Sequence, residues 1–488
     1  MTDDTAQNDP LSTAPTVPLP TVQLPTAHLP TVQLPTAPHT AAAGNPSQQA
    51  GELPVIVVGG GLTGLSAAWE LQQQGVPYVL LEAGDYLGGK VQTELWDDFL
   101  VEKAADAFVL GKPWALELAR EVGLEPELIH PREDTKRLYF LKGGQLLPFP
   151  EHLRMFVPLD EEAFRRSGVL SPEGTERMLA EVNVPPRENA DEDESLASFI
   201  QRRFGEEAMN FIVPMAAGIY VANPHELSMQ MAFPQFLAME QKYGSLIAGH
   251  RALPPRTTPV FGSFRGGMSE LPRAVGRALT GEVRLNTPVQ QVHADGVTLA
   301  GGQRLRGRGV VVTAPAWFSG PMLSHDFPQA AELIQALKTN SSVAVILAYR
   351  EDQFAADMNI HGLQVDWSEG IPMTAITVHS GKMHGRAPQG HVLLRVFFKN
   401  TEPGEARRLA EKYVQELFGV TGEPLFHAFG DWRGKNPAYV VGHLDHLAAI
   451  RAALPAQVQV AGASFTGVGL PDCVNAGRTA ARAVLAQG

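Results

Sequence analysis

Near its start the chain reads Val55-Ile56-Val57-Val58-Gly59-Gly60-Gly61-Leu62-Thr63-Gly64, and few ten-residue stretches constrain a fold so tightly. The β-branched run suits a buried parallel strand. From Leu62 to Gln74 apolar residues recur at helical spacing until Gly75 stops them, and Tyr78 to Leu81 offers a second buried strand. The result is a βαβ unit whose first turn is Gly-x-Gly-x-x-Gly. Gly59 permits the tight turn, Gly61 lets the backbone approach a diphosphate, and Gly64 lets helix and strand pack closely. The helix N-terminus then holds the anion. Glu82, at the end of the second strand, supplies a carboxylate for ribose hydroxyls. Gly88-Gly89-Lys90 follows as a second glycine turn, where a cofactor larger than NAD could pass, and this favours FAD.

The 488 residues exceed what one hydrophobic core usually supports, so at least two packed domains are expected. With 44% hydrophobic and 19% charged residues, the composition is that of a soluble globular protein and too polar for a set of membrane spans. A balance of 39 basic against 52 acidic side chains, net −13, has the wrong sign for gripping phosphate backbones, so nucleic acid is not expected as a partner. Arg304, Arg306 and Arg308 cluster only at a predicted hairpin end. A single cysteine, Cys473, excludes an intrachain disulfide and any cysteine-based zinc or iron–sulfur site, which suits a reducing cytoplasm. The start of the chain has no secretory-signal pattern.

From Pro15 to His39 a five-residue unit repeats, as in Pro20-Thr21-Val22-Gln23-Leu24 and Pro30-Thr31-Val32-Gln33-Leu34. Proline at that frequency forbids a helix or a central strand, so a polyproline-like tail is expected as far as Gly51. Between Pro113 and Ala248 the pattern is mostly helical, with an acidic run, Asp191 to Glu194, placed to cap a helix near Ser195. Strand patterns return at 283–285, 289–292, 310–312, 343–349 and 391–398. Val458-Gln459-Val460 makes a last strand before a helix from about Asn475. The dinucleotide domain is therefore expected to be discontinuous.

An acid at the second strand followed by Gly-Gly-Lys resembles the flavin amine oxidase superfamily, which implies FAD. Further blocks resemble the protoporphyrinogen and coproporphyrinogen oxidase family: Glu102 to Phe108, Arg137-Leu138-Tyr139, Ser198 to Gly205, Gly218-Ile219-Tyr220, Phe264 to Met268, Pro437-Ala438-Tyr439 with Gly442-His443, and the ending Gly462 to Cys473. The similarity runs from about Val55 to Val484. It implies an α/β fold: a discontinuous Rossmann-like FAD-binding domain (52–110, 262–318 and 455–488), a mixed-sheet substrate domain (111–160 and 319–454) and an inserted helical domain (161–261). Carried over by position, it places Gly59, Gly60, Gly61, Leu62, Thr63, Gly64, Glu82, Ala83, Gly89 and Lys90 on FAD. Ala104, Ala105, Asp106, Ala107, Val289, Trp432, Val468, Gly469 and Leu470 join them. The family usually has glycine and proline where this chain has Ala104-Ala105, so a close backbone approach to the flavin there is in question.

Arg137 matches the family position that looks toward substrate propionates. A buried carboxylate wants charged donors, each worth about 1.5–3 kcal/mol, or roughly 10- to 150-fold in affinity. The other reading of Arg137 is a surface arginine. By resemblance, three two-electron steps convert a porphyrinogen to a porphyrin, with oxygen as final acceptor. Pyrrole N–H protons are lost along the way, so no side chain is assigned as a general base. The protein's task is then to exclude water, hold the macrocycle and anchor its carboxylates.

His443-Leu444-Asp445-His446 and His379 with His384 lack metal-ligand spacing, so no metal is expected. Ser464 has no Gly-x-Ser-x-Gly around it, and Cys473 reads as a packing residue. Within the superfamily the alternatives are an amine oxidase or a carotenoid desaturase, and outside it a non-catalytic flavoprotein that carries tetrapyrrole. Of the two porphyrinogens, the four-carboxylate coproporphyrinogen III is favoured over protoporphyrinogen IX because the helical insertion has no long apolar stretch. That insertion is left as the candidate surface for peripheral membrane contact, and contact with a haem-pathway enzyme is kept as a further expectation with no surface assigned.

Overall fold

Four β-branched residues in a row leave no face for water, and they form the fully buried strand β1 (Val55–Val58). The structure is a computed structural model that describes residues 53–135, 137–254 and 258–486. The proline repeat lies outside the described residues. β1 leads into helix α1 (Leu62–Gln73) and strand β2 (Tyr78–Leu81), as the glycine turn predicts. A five-stranded sheet is ordered Glu282–Arg284, β2, β1, Gly309–Val312, Val458–Val460, with every pair parallel.

Both faces of this sheet are covered. Val55 and Val57 look into a core shared with Leu65 and Trp69 of α1 and with Val474 and Ala481 of the last helix, Leu470–Leu485. Ile56 and Val58 look into a second core with Leu323, Ala331, Ile334, Leu447 and Ile450. Helices Pro328–Gln335 and His443–Ala452 thus belong physically to the parallel sheet, although sequence position places them in the 319–454 segment. The last helix begins at Leu470, before the Asn475 expected from sequence, because Pro471 is tolerated in a first helical turn.

A seven-stranded sheet is ordered Phe426–Asp431, Ser342–Arg350, His391–Lys399, Met373–Val378, Gly362–Val365, Leu138–Lys142, Gln145–Pro148. It is mixed, because Gly362–Val365 and Leu138–Lys142 run parallel. The Leu138–Pro148 hairpin corrects the mostly helical expectation for that stretch. Gly143 and Gly144 both take positive φ at its turn, a two-glycine signal that outweighs helical spacing. One face of the sheet, through Val343, Val345, Leu394, Val396 and Phe398, packs on Ala410, Val414 and Phe418 of helix Pro403–Phe418. The other face turns toward Phe99 and Val101 beside the parallel sheet.

Residues 161–252 form the helical cluster, closed around Phe164, Phe199, Phe204, Phe211 and Phe236. Arg203 and Glu181, both fully buried, pair inside it. Ser195 itself caps the Leu196–Phe204 helix by accepting from the Ser198 amide, while Asp193 accepts from Ser228 Oγ at 2.6 Å and Gly442 N at 3.0 Å. Among the described residues, no helix is long and apolar enough to cross a membrane.

Candidate functional site

The turn after β1 is built by its glycines. Gly59 sits at φ +109°, outside the range of most side chains, and a Cβ on Gly64 would fall on the carbonyl oxygen of Gly59. At Gly61 the reverse holds: it is the N-cap of α1, no side chain caps that end, and an added Cβ would meet nothing within 4 Å. Uncapped first-turn amides beside open space make a seat for an anion. Leu62 and Thr63, both buried, complete that turn. Glu82 accepts from Gly60 N at 2.6 Å and Gly84 N at 2.7 Å, so its carboxylate is fixed at the rim of the turn, with Ala83 exposed next to it. The second glycine turn lies on the first, Gly88 N donating to Gly60 O at 2.8 Å, with Gly89 against Gly61. The residues therefore fit a dinucleotide.

The segment Lys103 to Ala107 runs partly exposed from the buried strand Phe99–Glu102, and its carbonyls are tied into the seven-stranded sheet. Trp432 Nε1 donates to Lys103 O at 2.9 Å and Arg395 Nη2 to Ala104 O at 2.5 Å. Below Ala105 and Ala107 the Asp106 carboxylate meets Lys382 Nζ at 2.9 Å, with His379 at 3.8 Å and Arg395 at 3.9 Å. Burial would raise the Asp106 pKa, but Lys382 and Arg395 hold it well below the carboxylate range. Burial among Arg395, Arg386 and Lys382 keeps His379 neutral, far below its ordinary pKa. Glu102, fully buried, is pushed up to about 7 by desolvation, although Met268 N (2.7 Å) and Thr93 Oγ1 (2.8 Å) donate to it.

Lys90 completes this wall. Its ammonium donates to Lys435 O and lies 5.2 Å from the Trp432 ring and 5.8 Å from that of Trp317. Burial, with Lys435 nearby, lowers its pKa to about 8. Val468 packs on the helical cluster, Gly469 is the uncapped N-cap of the last helix, and Leu470 is buried in the α1 core. Val289 is buried at the head of strand Val289–His293, in the core under β1.

The structure does not bring Arg137 to this group. It immediately precedes strand Leu138–Lys142, half exposed, and donates to Asp357 at 2.8 Å and Asn359 O at 2.9 Å. Sequence reading passed over Arg395, Phe397 and Lys399, which alternate along strand His391–Lys399. Two cations at every fourth position of an otherwise apolar strand were the available signal. Cys473 is buried, and desolvation pushes its thiol up to about 11. Among the described residues, no group of three or more His, Cys, Asp or Glu is placed to hold a metal ion.

Fold and site define a dinucleotide-dependent oxidoreductase with a parallel-sheet nucleotide domain facing a mixed sheet. Residues 62–485 match the family of flavin-containing amine oxidoreductases. The chain is 32% identical to coproporphyrinogen III oxidase of Propionibacterium freudenreichii, over 92% of this chain and 94% of that protein. Identity to the enzyme of the same name from Bacillus subtilis is 30%, over 88% and 97%. The crystal structure of a putative protoporphyrinogen oxidase from an Exiguobacterium species superposes with a TM-score of 0.78 at 28% identity, covering 90% of this chain and all of that one (100%). The chain belongs to the flavin-containing amine oxidoreductase family, in its protoporphyrinogen and coproporphyrinogen oxidase branch; it is an FAD-dependent oxidase.

Proposed function

We propose that this chain oxidises coproporphyrinogen III to coproporphyrin III, with dioxygen as the terminal acceptor. The observation that carries this reading is the similarity to two coproporphyrinogen III oxidases along nearly the full length of both partners. When bound, FAD supplies the acceptor for hydride equivalents. The amides of Gly61, Leu62 and Thr63 would hold its diphosphate and Glu82 a ribose, with Gly59, Gly60 and Gly64 shaping the turn. Ala83, Gly89, Lys90, Ala104, Ala105, Asp106, Ala107, Val289, Trp432, Val468, Gly469 and Leu470 would line the rest of its path.

In the reaction the chain's side chains position rather than transfer. Arg395 and Trp432 fix the carbonyls of Ala104 and Lys103, so the segment that would face the reacting ring is held in place. Three two-electron oxidations remove six hydrogens: three leave meso carbons as hydride equivalents and three leave as protons to solvent, two from pyrrole nitrogens and one from the remaining meso carbon, so the porphyrin keeps two N–H groups. A reducing cytoplasm suits a chain whose single cysteine can form no intrachain disulfide.

Anaerobic mixing of the yellow holoprotein with each porphyrinogen, following flavin bleaching, tests the reading. Coproporphyrinogen III should bleach the flavin faster than protoporphyrinogen IX. The reverse order would change the substrate, and no bleaching by either would end the proposal.

A further inference from the structure

The strand His391–Lys399 shows one face to each side of its sheet. Leu394, Val396 and Phe398 enter the core under helix Pro403–Phe418, so Leu393, Arg395, Phe397 and Lys399 face the other way. Leu393 packs there with Phe99 and Val101, which lead directly into the Lys103–Ala107 segment. Arg395 grips Ala104 O at 2.5 Å and stacks at 4.9 Å over the Phe397 ring. At about 3.3 Å per residue, Lys399 stands about 13 Å further along that face, a separation comparable to the breadth of a tetrapyrrole.

The two cations on this face are in opposite circumstances. Arg395 is balanced by Asp106. Lys399 has no carboxylate partner among the described residues: it donates to Ala222 O at 3.3 Å and lies 5.0 Å from the Trp367 ring. It is drawn out of water where the sheet, the Trp367 turn and the helical cluster meet, and burial alone lowers its pKa. A desolvated ammonium with only a carbonyl and a ring beside it is under-compensated, and an incoming anion relieves that.

We propose that Lys399 binds a carboxylate of the substrate, one propionate side chain of the tetrapyrrole, at the end of this face remote from Ala104. The inference rests on the porphyrinogen reading and assigns its carboxylate recognition to a residue other than Arg137. Phe397, between the two cations, offers its ring to the macrocycle.

The test uses the FAD-loaded protein and its Lys399→Met and Lys399→Arg variants. Expected for Lys399→Met is a rise of about tenfold or more in KM for coproporphyrinogen III and in Kd for coproporphyrin III, the latter read by fluorescence quenching. The flavin spectrum, Tm and saturated rate should stay close to those of the parent, and Lys399→Arg should restore most of the affinity. Coproporphyrin tetramethyl ester should bind the parent protein more weakly than the free acid, and should lose little further in Lys399→Met. KM and Kd within twofold of the parent, or a fall in Tm with no change in Kd, overturns the proposal. If the parent protein is bleached by neither porphyrinogen, the functional reading fails, while coproporphyrin binding still decides the role of Lys399.

Discussion

Arg395 reaches across from the mixed sheet to donate to the carbonyl of Ala104 at 2.5 Å, while its other amino group stands 3.9 Å from Asp106. One guanidinium thus fixes both the backbone and the charge of the segment expected beside the flavin. Replacing it by methionine keeps the bulk but leaves Asp106 to Lys382 and frees Ala104 O. Breaking a buried charged network of this kind costs about 3–5 kcal/mol. For Arg395→Met we expect Tm to fall by roughly 3–6 °C and the flavin-to-protein absorbance ratio to drop. A variant that retains both its melting point and its flavin would show that Arg395 holds nothing in place.

Two glycines three residues apart should fail in different ways. Gly64→Ala sets a methyl against the Gly59 carbonyl, backbone that cannot yield, so the variant should be misfolded or insoluble. Gly61→Ala adds a methyl in open space at an ordinary negative φ, so the chain should fold with Tm within a few degrees of the parent. The methyl stands where a diphosphate must approach the α1 amides, so FAD affinity should fall by at least about tenfold. Calorimetry and flavin titration separate the two, and full flavin affinity in Gly61→Ala would place the cofactor elsewhere.

The contrast between those glycines marks how much the sequence could say. Gly59 to Gly64 and Glu82 were legible because turn, helix start and acid lie within one βαβ unit, where spacing along the chain fixes spacing in space. The site's other wall was not. Arg395 meets Ala104 and Trp432 meets Lys103 across separations of 291 and 329 residues, and no local period encodes such a meeting. The Leu138–Pro148 hairpin was misread for a different reason: its apolar residues satisfy a helical pattern, and only Gly143-Gly144 marks the turn.

Arg137 illustrates the same limit at a single residue. Its side chain and that of Asp357 are 50% and 54% exposed, and such pairs contribute about 0–1 kcal/mol. To serve a substrate carboxylate it must leave Asp357 and the carbonyl of Asn359. We therefore expect Arg137→Ala to change KM for coproporphyrinogen III by less than about threefold, and Tm by at most a few degrees. A tenfold rise in KM would reinstate Arg137 as a substrate ligand.

Glu102 gives a pH signature. Its folded pKa is raised by burial from 4.5 to about 7, so its contribution to stability is complete below 4.5 and is lost as pH climbs through 7. That interval corresponds to about 3 kcal/mol. His379, buried neutral with its pKa well below 6.5, acts in the opposite sense, losing stability as pH falls, so the parent curve alone hides the effect. Glu102→Gln keeps the shape of the side chain and an acceptor for Met268 N but cannot ionise. Denaturant unfolding of variant and parent at a series of pH values should therefore show the variant gaining on the parent as pH rises from 4.5 to 7, by a total near 3 kcal/mol. A difference independent of pH would mean that Glu102 titrates in the folded chain as it does in water, and that Arg386 and Arg395 compensate its burial in full.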